Sequence, residues 1–114
     1  MADNVVYIDF NEGVKRVMNN AKLYVKLLTK FKNDTNTEAL SAAMAAGDLE
    51  NAQIQAHTIK GIAANLSLME LYKQVLELEN QIKAKAVEPN QLETVNAAFR
   101  ATILEADKVI AENG

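Results

Sequence analysis

Cysteine and tryptophan are absent from these 114 residues, proline occurs once, glycine four times, and phenylalanine and tyrosine three times each. Without cysteine there is neither a disulfide framework nor a thiolate zinc site. So few turn residues and aromatics exclude an all-β domain, which needs both. Gly13, Gly47, Gly61 and Gly114 are too scattered to form a P-loop or a dinucleotide fingerprint. No run approaches the roughly 18 unbroken apolar residues of a membrane span. The opening MADNVVYID lacks the charged-then-apolar order of a secretory signal. A net charge of −3 gives no general footprint for nucleic acid. The expected setting is therefore cytoplasmic, with no membrane or nucleic-acid partner and no cofactor.

What remains is a chain rich in Ala, Leu, Lys, Glu, Gln and Met, the residues that favour helix. A length of 114 residues with 49% hydrophobic side chains suits one core and a single domain over 1–114. Capping signals divide it. Asp9 with Glu12 reads as a capping box opening a short helix to about Asn20. Leu23, Leu27, Leu28 and Phe31 then recur on one face, opposite Lys22, Lys26 and Lys30, until Asn33-Asp34 stops the pattern. Thr35 with Glu38 suggests a second box before an Ala-rich helix through Ala46, which Gly47 ends in left-handed conformation. Asp48 caps a helix over about 48–66. Ser67 with Glu70 suggests a third box, ahead of Leu68, Leu71, Val75, Leu78 and Ile82 at spacings of three and four. Pro89 fits the first turn of a last helix striped by Leu92, Val95, Phe99, Ile103, Ala106 and Ile110. The fold class implied is all-α: an up-and-down antiparallel four-helix bundle with one or two short extra N-terminal helices.

The segment from Asp48 to Leu66 is the most informative. At about 100° per residue, Ala52, Ala56, Ile59, Ala63 and Leu66 share the core side. His57, the chain's single histidine, points away from it with Glu50, Gln53, Lys60, Gly61 and Ala64. Gly inside a helix costs about 1 kcal/mol relative to Ala, so Gly61 asks for a reason. Helical side chains lean toward the N-terminus, and a residue at i+4 would overhang the ring at i. Gly61 leaves that space clear, Ala64 extends it, and Lys60 brings a cation within reach of an anion on the imidazole. An exposed neutral imidazole is a nucleophile that needs no dedicated base, and phosphoryl transfer suits such a site, because the transferred group needs chiefly positioning and a nearby positive charge. From these residues alone, an ordinary solvated face is as good a reading.

His57-Thr58-Ile59-Lys60-Gly61-Ile62-Ala63-Ala64-Asn65-Leu66 resembles the signature of histidine-containing phosphotransfer (HPt) domains: His, any residue, an aliphatic, Lys, Gly, small residues, an aliphatic. Lys22 to Phe31 is similar to an early helix of that family, and Ala45-Ala46-Gly47-Asp48 to the turn before its phosphorylated helix. The resemblance implies a four-helix bundle in which His57 accepts a phosphoryl group from the aspartate of a receiver domain and passes it to another receiver's aspartate. It implies receiver domains of hybrid histidine kinases and of response regulators as partners; no ATP-binding element is visible in the sequence, so no autokinase activity is expected. Lys60 carries over as a charge near the phosphate and Gly61 as clearance. The family often has Gly where this chain has Ser67, a departure attributed to the Ser67–Glu70 box.

Gln53, Ile54, Ala64 and Leu68 are the candidate docking residues around His57. The Lys22, Lys26, Lys30 stripe, with Lys15 and Arg16 nearby, would suit the acidic pocket of a receiver, although an ordinary solvated face is the commoner meaning of such a pattern. Ile54 stands at the position where a Glu-x-x-His metal pair would need its glutamate, so no metal site is expected. No Asp or Glu partner of His57 is identifiable from spacing. The rival reading is a helical adaptor that binds without phosphoryl chemistry, and a third is a dimerisation bundle. The number of helices argues for a monomer.

Overall fold

The computed structural model describes residues 5–113, and all regular structure among them is helical: α1 Phe10–Arg16, α2 Ala21–Lys32, α3 Asn36–Ala45, α4 Leu49–Leu66, α5 Met69–Lys83 and α6 Gln91–Asn113. Short loops make sequential helices pack as neighbours. α4 lies between α3 and α5, α5 also packs on α6, and α6 meets α2. α2 reaches the C-terminal end of α4, where the Tyr24 hydroxyl donates to the Leu66 carbonyl, while α3 joins the start of α4 through Gly47. The pair α2–α3 thus forms one pillar of a four-helix bundle with α4, α5 and α6, and α1 is a short N-terminal addition. No described helix is long and apolar enough to cross a membrane.

The core follows the helical periodicity closely on α4 and α5. Ala52, Ala56, Ile59, Ala63 and Leu66 are buried, as are Leu71, Val75, Leu78 and Ile82. Small alanines on the inner face of α4 let its neighbours approach closely. On α2 the inner face is rotated from expectation: Tyr24 is fully buried and Leu23 is 40% exposed. Tyr24 gains that place because its hydroxyl finds a buried acceptor and its ring packs edge-on against Phe10, 5.6 Å between centroids.

The caps differ from the sequence expectation in a consistent way. Asp9 accepts from the Glu12 amide at 3.1 Å, but the reciprocal bond is missing, because the Asp9 amide donates to the Ser67 carbonyl at 3.0 Å. α1 stops at Arg16, since Met18 and Asn19 are left-handed, and Asn20 caps α2 by accepting from Leu23 N–H. Thr35 makes no side-chain cap; Asp34 takes over, accepting from the Asn36 amide at 2.6 Å. Gly47 is left-handed (φ +71°) and Asp48 caps α4 through the Asn51 amide, both as expected.

The third expected box does not form. Ser67 is the left-handed C-cap of α4 (φ 56°, ψ 44°), Leu68 is the N-cap of α5, and Glu70 pairs with Gln74. The Met69 amide, which a cap would otherwise satisfy, donates to the Tyr7 carbonyl at 2.9 Å. Left-handed backbone explains a glycine at this turn, since Gly adopts it without a Cβ clash. Ser67 tolerates it with its hydroxyl donating to Glu12 Oε1 at 2.8 Å.

Candidate functional site

His57 projects from the middle of α4 with 71% of its side chain exposed. Rotation places it there: the alanines and Ile59 that bury α4 leave the 57 position facing out. Its ring nevertheless has an inward partner. Nδ1 lies 3.3 Å from Oε2 of Glu79, a residue of α5 that is only 1% exposed. A carboxylate only accepts, so Nδ1 carries the proton and Nε2 the lone pair. Among the described residues Nε2 has no hydrogen-bond partner.

Glu79 is the centre of the arrangement. Lys60 Nζ stands 2.7 Å from its Oε1, and Lys83, one turn further along α5, has Nζ 3.6 Å from Oε2. Burial pulls the Glu79 carboxyl upward, yet Lys60, His57 and Lys83 together outweigh it and hold the group below the usual glutamate range. The carboxylate is therefore ionised. Two ammonium groups and one carboxylate cluster beneath the open imidazole, and Glu50 on the wall of the same depression brings the local charge to balance.

Above the ring the surface is a shallow open depression of about 560 Å³, lined by Glu50, Gln53, Ile54, His57, Thr58, Glu79 and Lys83. Gly61 is exposed, and a Cβ built on it meets nothing within 4 Å. An alanine methyl would therefore not touch even the His57 ring, and only a longer side chain would occupy the space above it.

The candidate residues divide as follows. His57, Gln53 and Ile54, the last 58% exposed, share the depression. Lys60 does not line the depression; its ammonium is turned to Glu79, not standing free beside the ring as its sequence position suggested. Ala64 is half-buried and borders a separate hollow with Ser67, Met69 and Tyr72. Leu68 is corrected outright: it is 0% exposed and belongs to the core, because the turn after α4 carries it inward. Glu79, which sequence reasoning missed, carries a signal in retrospect. It falls on the apolar stripe of α5, four residues after Val75 and three before Ile82, where a charge is out of place unless it is paired. Among the described residues no group of three or more His, Cys, Asp or Glu side chains converges to hold a metal ion.

Comparison with known proteins gives one match, to the sequence model of the family described as "Hpt domain", over residues 26–107. It begins inside α2, ends inside α6, and includes His57, Lys60, Gly61 and Glu79. No curated protein and no solved structure matches the chain.

Proposed function

The chain belongs to the Hpt domain family, whose members carry phosphoryl groups on histidine in phosphorelay signalling and interact with receiver domains, and from that premise we propose that His57 is the phosphoryl carrier, loaded by one receiver aspartate and unloaded by another. The observation that supports it is an exposed imidazole whose Nδ1 is held by a buried carboxylate, leaving the Nε2 lone pair outward over an open surface.

The step balances without a cofactor. Nε2 attacks the phosphorus of a receiver's aspartyl phosphate in line; the N–P bond forms, the acyl P–O bond breaks, and the aspartate leaves as carboxylate. The proton stays on Nδ1, where Glu79 offsets the positive charge that the ring acquires. Lys60 then divides its charge between Glu79 and the phosphoryl oxygens, and Lys83 keeps Glu79 paired. In the second half a carboxylate oxygen of the next receiver attacks phosphorus, the P–N bond breaks, and Nε2 recovers its lone pair. Gly61 leaves room for the receiver's backbone to approach, with Gln53 and Ile54 beneath it. The whole constellation lies on one chain, so a monomer suffices.

The deciding experiment mixes the protein with phosphorylated receiver domains and follows acid-labile, alkali-stable label. Label on the wild type and none on His57→Ala is the expected result. No label on either, with receiver binding retained, would replace the carrier by a binding-only adaptor.

A further inference from the structure

Charge is unevenly distributed along the chain. Between Phe10 and Lys32 there are six Lys or Arg and one Glu, so a stretch of +5 sits within a chain of −3. Some of that charge is already engaged, with Arg16 on Glu12 and Lys32 on Asp107. Lys22, Lys26 and Lys30 are exposed, and among the described residues none of the three is in an ion pair. Spaced by four, they run along one side of α2.

The stripe leads toward the histidine. Its last member, Lys30, lies on the rim of an apolar cleft of about 370 Å³ between α2 and α4, with Leu27, Phe31, Ile62, Asn65, Leu66 and the single carboxylate of Asp34. Ile62 follows Gly61 directly, and Asn65 lies one turn beyond it. The cleft therefore borders α4 over 62–66, the stretch that follows the 50–58 segment bordering the depression over His57.

We propose that Lys22, Lys26 and Lys30 form an electrostatic landing strip for the acidic face of the receiver domain, guiding its carboxylate-rich centre along α2 onto His57. This rests on the relay reading above, and adds to it a surface outside the reacting atoms. An acidic protein fits better than nucleic acid or lipid. Beyond α2 the chain carries twice as many acidic as basic residues, which repels an extended polyanion. The strip itself carries one half-exposed apolar residue, Leu23, too little to insert into a bilayer. Rim charges of this kind act on encounter rate more than on residence, and their effect fades as salt shortens the Debye length.

The test compares wild type with the triple variant Lys22→Gln/Lys26→Gln/Lys30→Gln, all at exposed positions where the helix tolerates Gln. Transfer from a phosphorylated receiver is followed by stopped flow across a salt series, and each protein is separately labelled with phosphoramidate, a small donor that has no docking face. The variant should show an apparent second-order rate lower by about tenfold at low ionic strength, converging with wild type at high salt, while phosphoramidate labelling is unchanged. Equal receiver rates at every salt concentration overturn the proposal. So does a parallel loss of phosphoramidate labelling, which would place the lysines' effect on His57 itself. Binding of wild type but not the variant to phosphatidylserine vesicles, with equal receiver rates, would assign the strip to a lipid surface instead. If no receiver labels His57 yet receiver binding keeps its lysine-dependent salt sensitivity, the carrier reading fails and the landing strip stands.

Discussion

The Nδ1 atom of His57 lies 3.3 Å from Oε2 of Glu79, which joins an imidazole 71% exposed to a carboxylate 2% exposed. One group faces solvent and the other is fixed in the bundle, so the orientation of an exposed ring is set from inside. If Glu79 positions the ring, Glu79→Leu should slow transfer to His57 about fivefold, the equivalent of one hydrogen bond of about 1 kcal/mol. Glu79→Gln keeps an acceptor and should recover much of the rate. Rates normalised to the folded fraction by circular dichroism separate this from simple destabilisation.

The same carboxylate gives a pH dependence. Its folded pKa lies below that of an exposed glutamate, so its pairing stabilises the fold fully above the ordinary glutamate value of about 4.3 and is lost as pH falls through the lowered value. Urea titrations at a series of acid pH values should show wild-type stability falling in that window. Glu79→Gln should be less stable at neutral pH, by about 1–3 kcal/mol, with a flatter acid limb.

Gly61 separates steric from helical effects. Gly61→Ala meets open space and should raise the melting temperature, gaining up to about 1 kcal/mol of helix propensity, without slowing transfer. Gly61→Leu should keep the helix content, accept label from phosphoramidate, and react sharply more slowly with a receiver. Equal receiver rates for Leu and Gly would show that the glycine clears nothing.

At Ser67 the left-handed backbone and the bond to Glu12 oppose each other. Ser67→Gly relieves the backbone and loses the bond, so its unfolding free energy should change little. Ser67→Ala loses the bond and keeps the strain, and should cost about 1 kcal/mol. Thermal denaturation of the pair checks the difference.

Gly13 is demanded by Tyr24. A Cβ at 13 would run into the Tyr24 ring, which Leu66 and Phe10 hold in place. Burial, with Asp9 and Glu12 adding to it, pushes the Tyr24 phenol well above its usual range, so it remains a donor. Gly13→Ala should destabilise by about 1–3 kcal/mol. The loss reads as a lower denaturation midpoint with an unchanged slope.

The faces of α4 and α5 were legible because their side chains obey helical rotation with little interference. Reading failed where tertiary partners competed with local ones. Ser67 and Glu70 have the spacing of a capping box, but the Ser67 hydroxyl goes to Glu12 and the Met69 amide to Tyr7, both distant in sequence. Leu68, offered both to the apolar stripe of α5 and to the surface around His57, lies in the core, as the stripe has it. Tyr24 lost to Leu23 in the pattern because its buried acceptor, the Leu66 carbonyl, is 42 positions away. Glu79 escaped because a charged residue is ordinarily read as solvated, and only its place among Val75, Leu78 and Ile82 says otherwise. His57, Lys60 and Gly61 are legible as a group because they are near neighbours on one helix, whereas Glu79, which pairs with two of them, comes from another.

Two backbone bonds fasten the stretch before α1 to the turn after α4, Asp9 N–H to Ser67 O and Met69 N–H to Tyr7 O, close to a side-chain contact spanning 55 positions. Neither can form until the α4–α5 hairpin exists, since closing so long a loop is uphill before its ends have something to meet. The N-terminal stretch should therefore dock after that hairpin in folding, which truncation before Asp9 would show as an unchanged folding rate and a faster unfolding one. In the native protein, hydrogen exchange at the Asp9 amide keeps time for the turn at the end of the histidine helix.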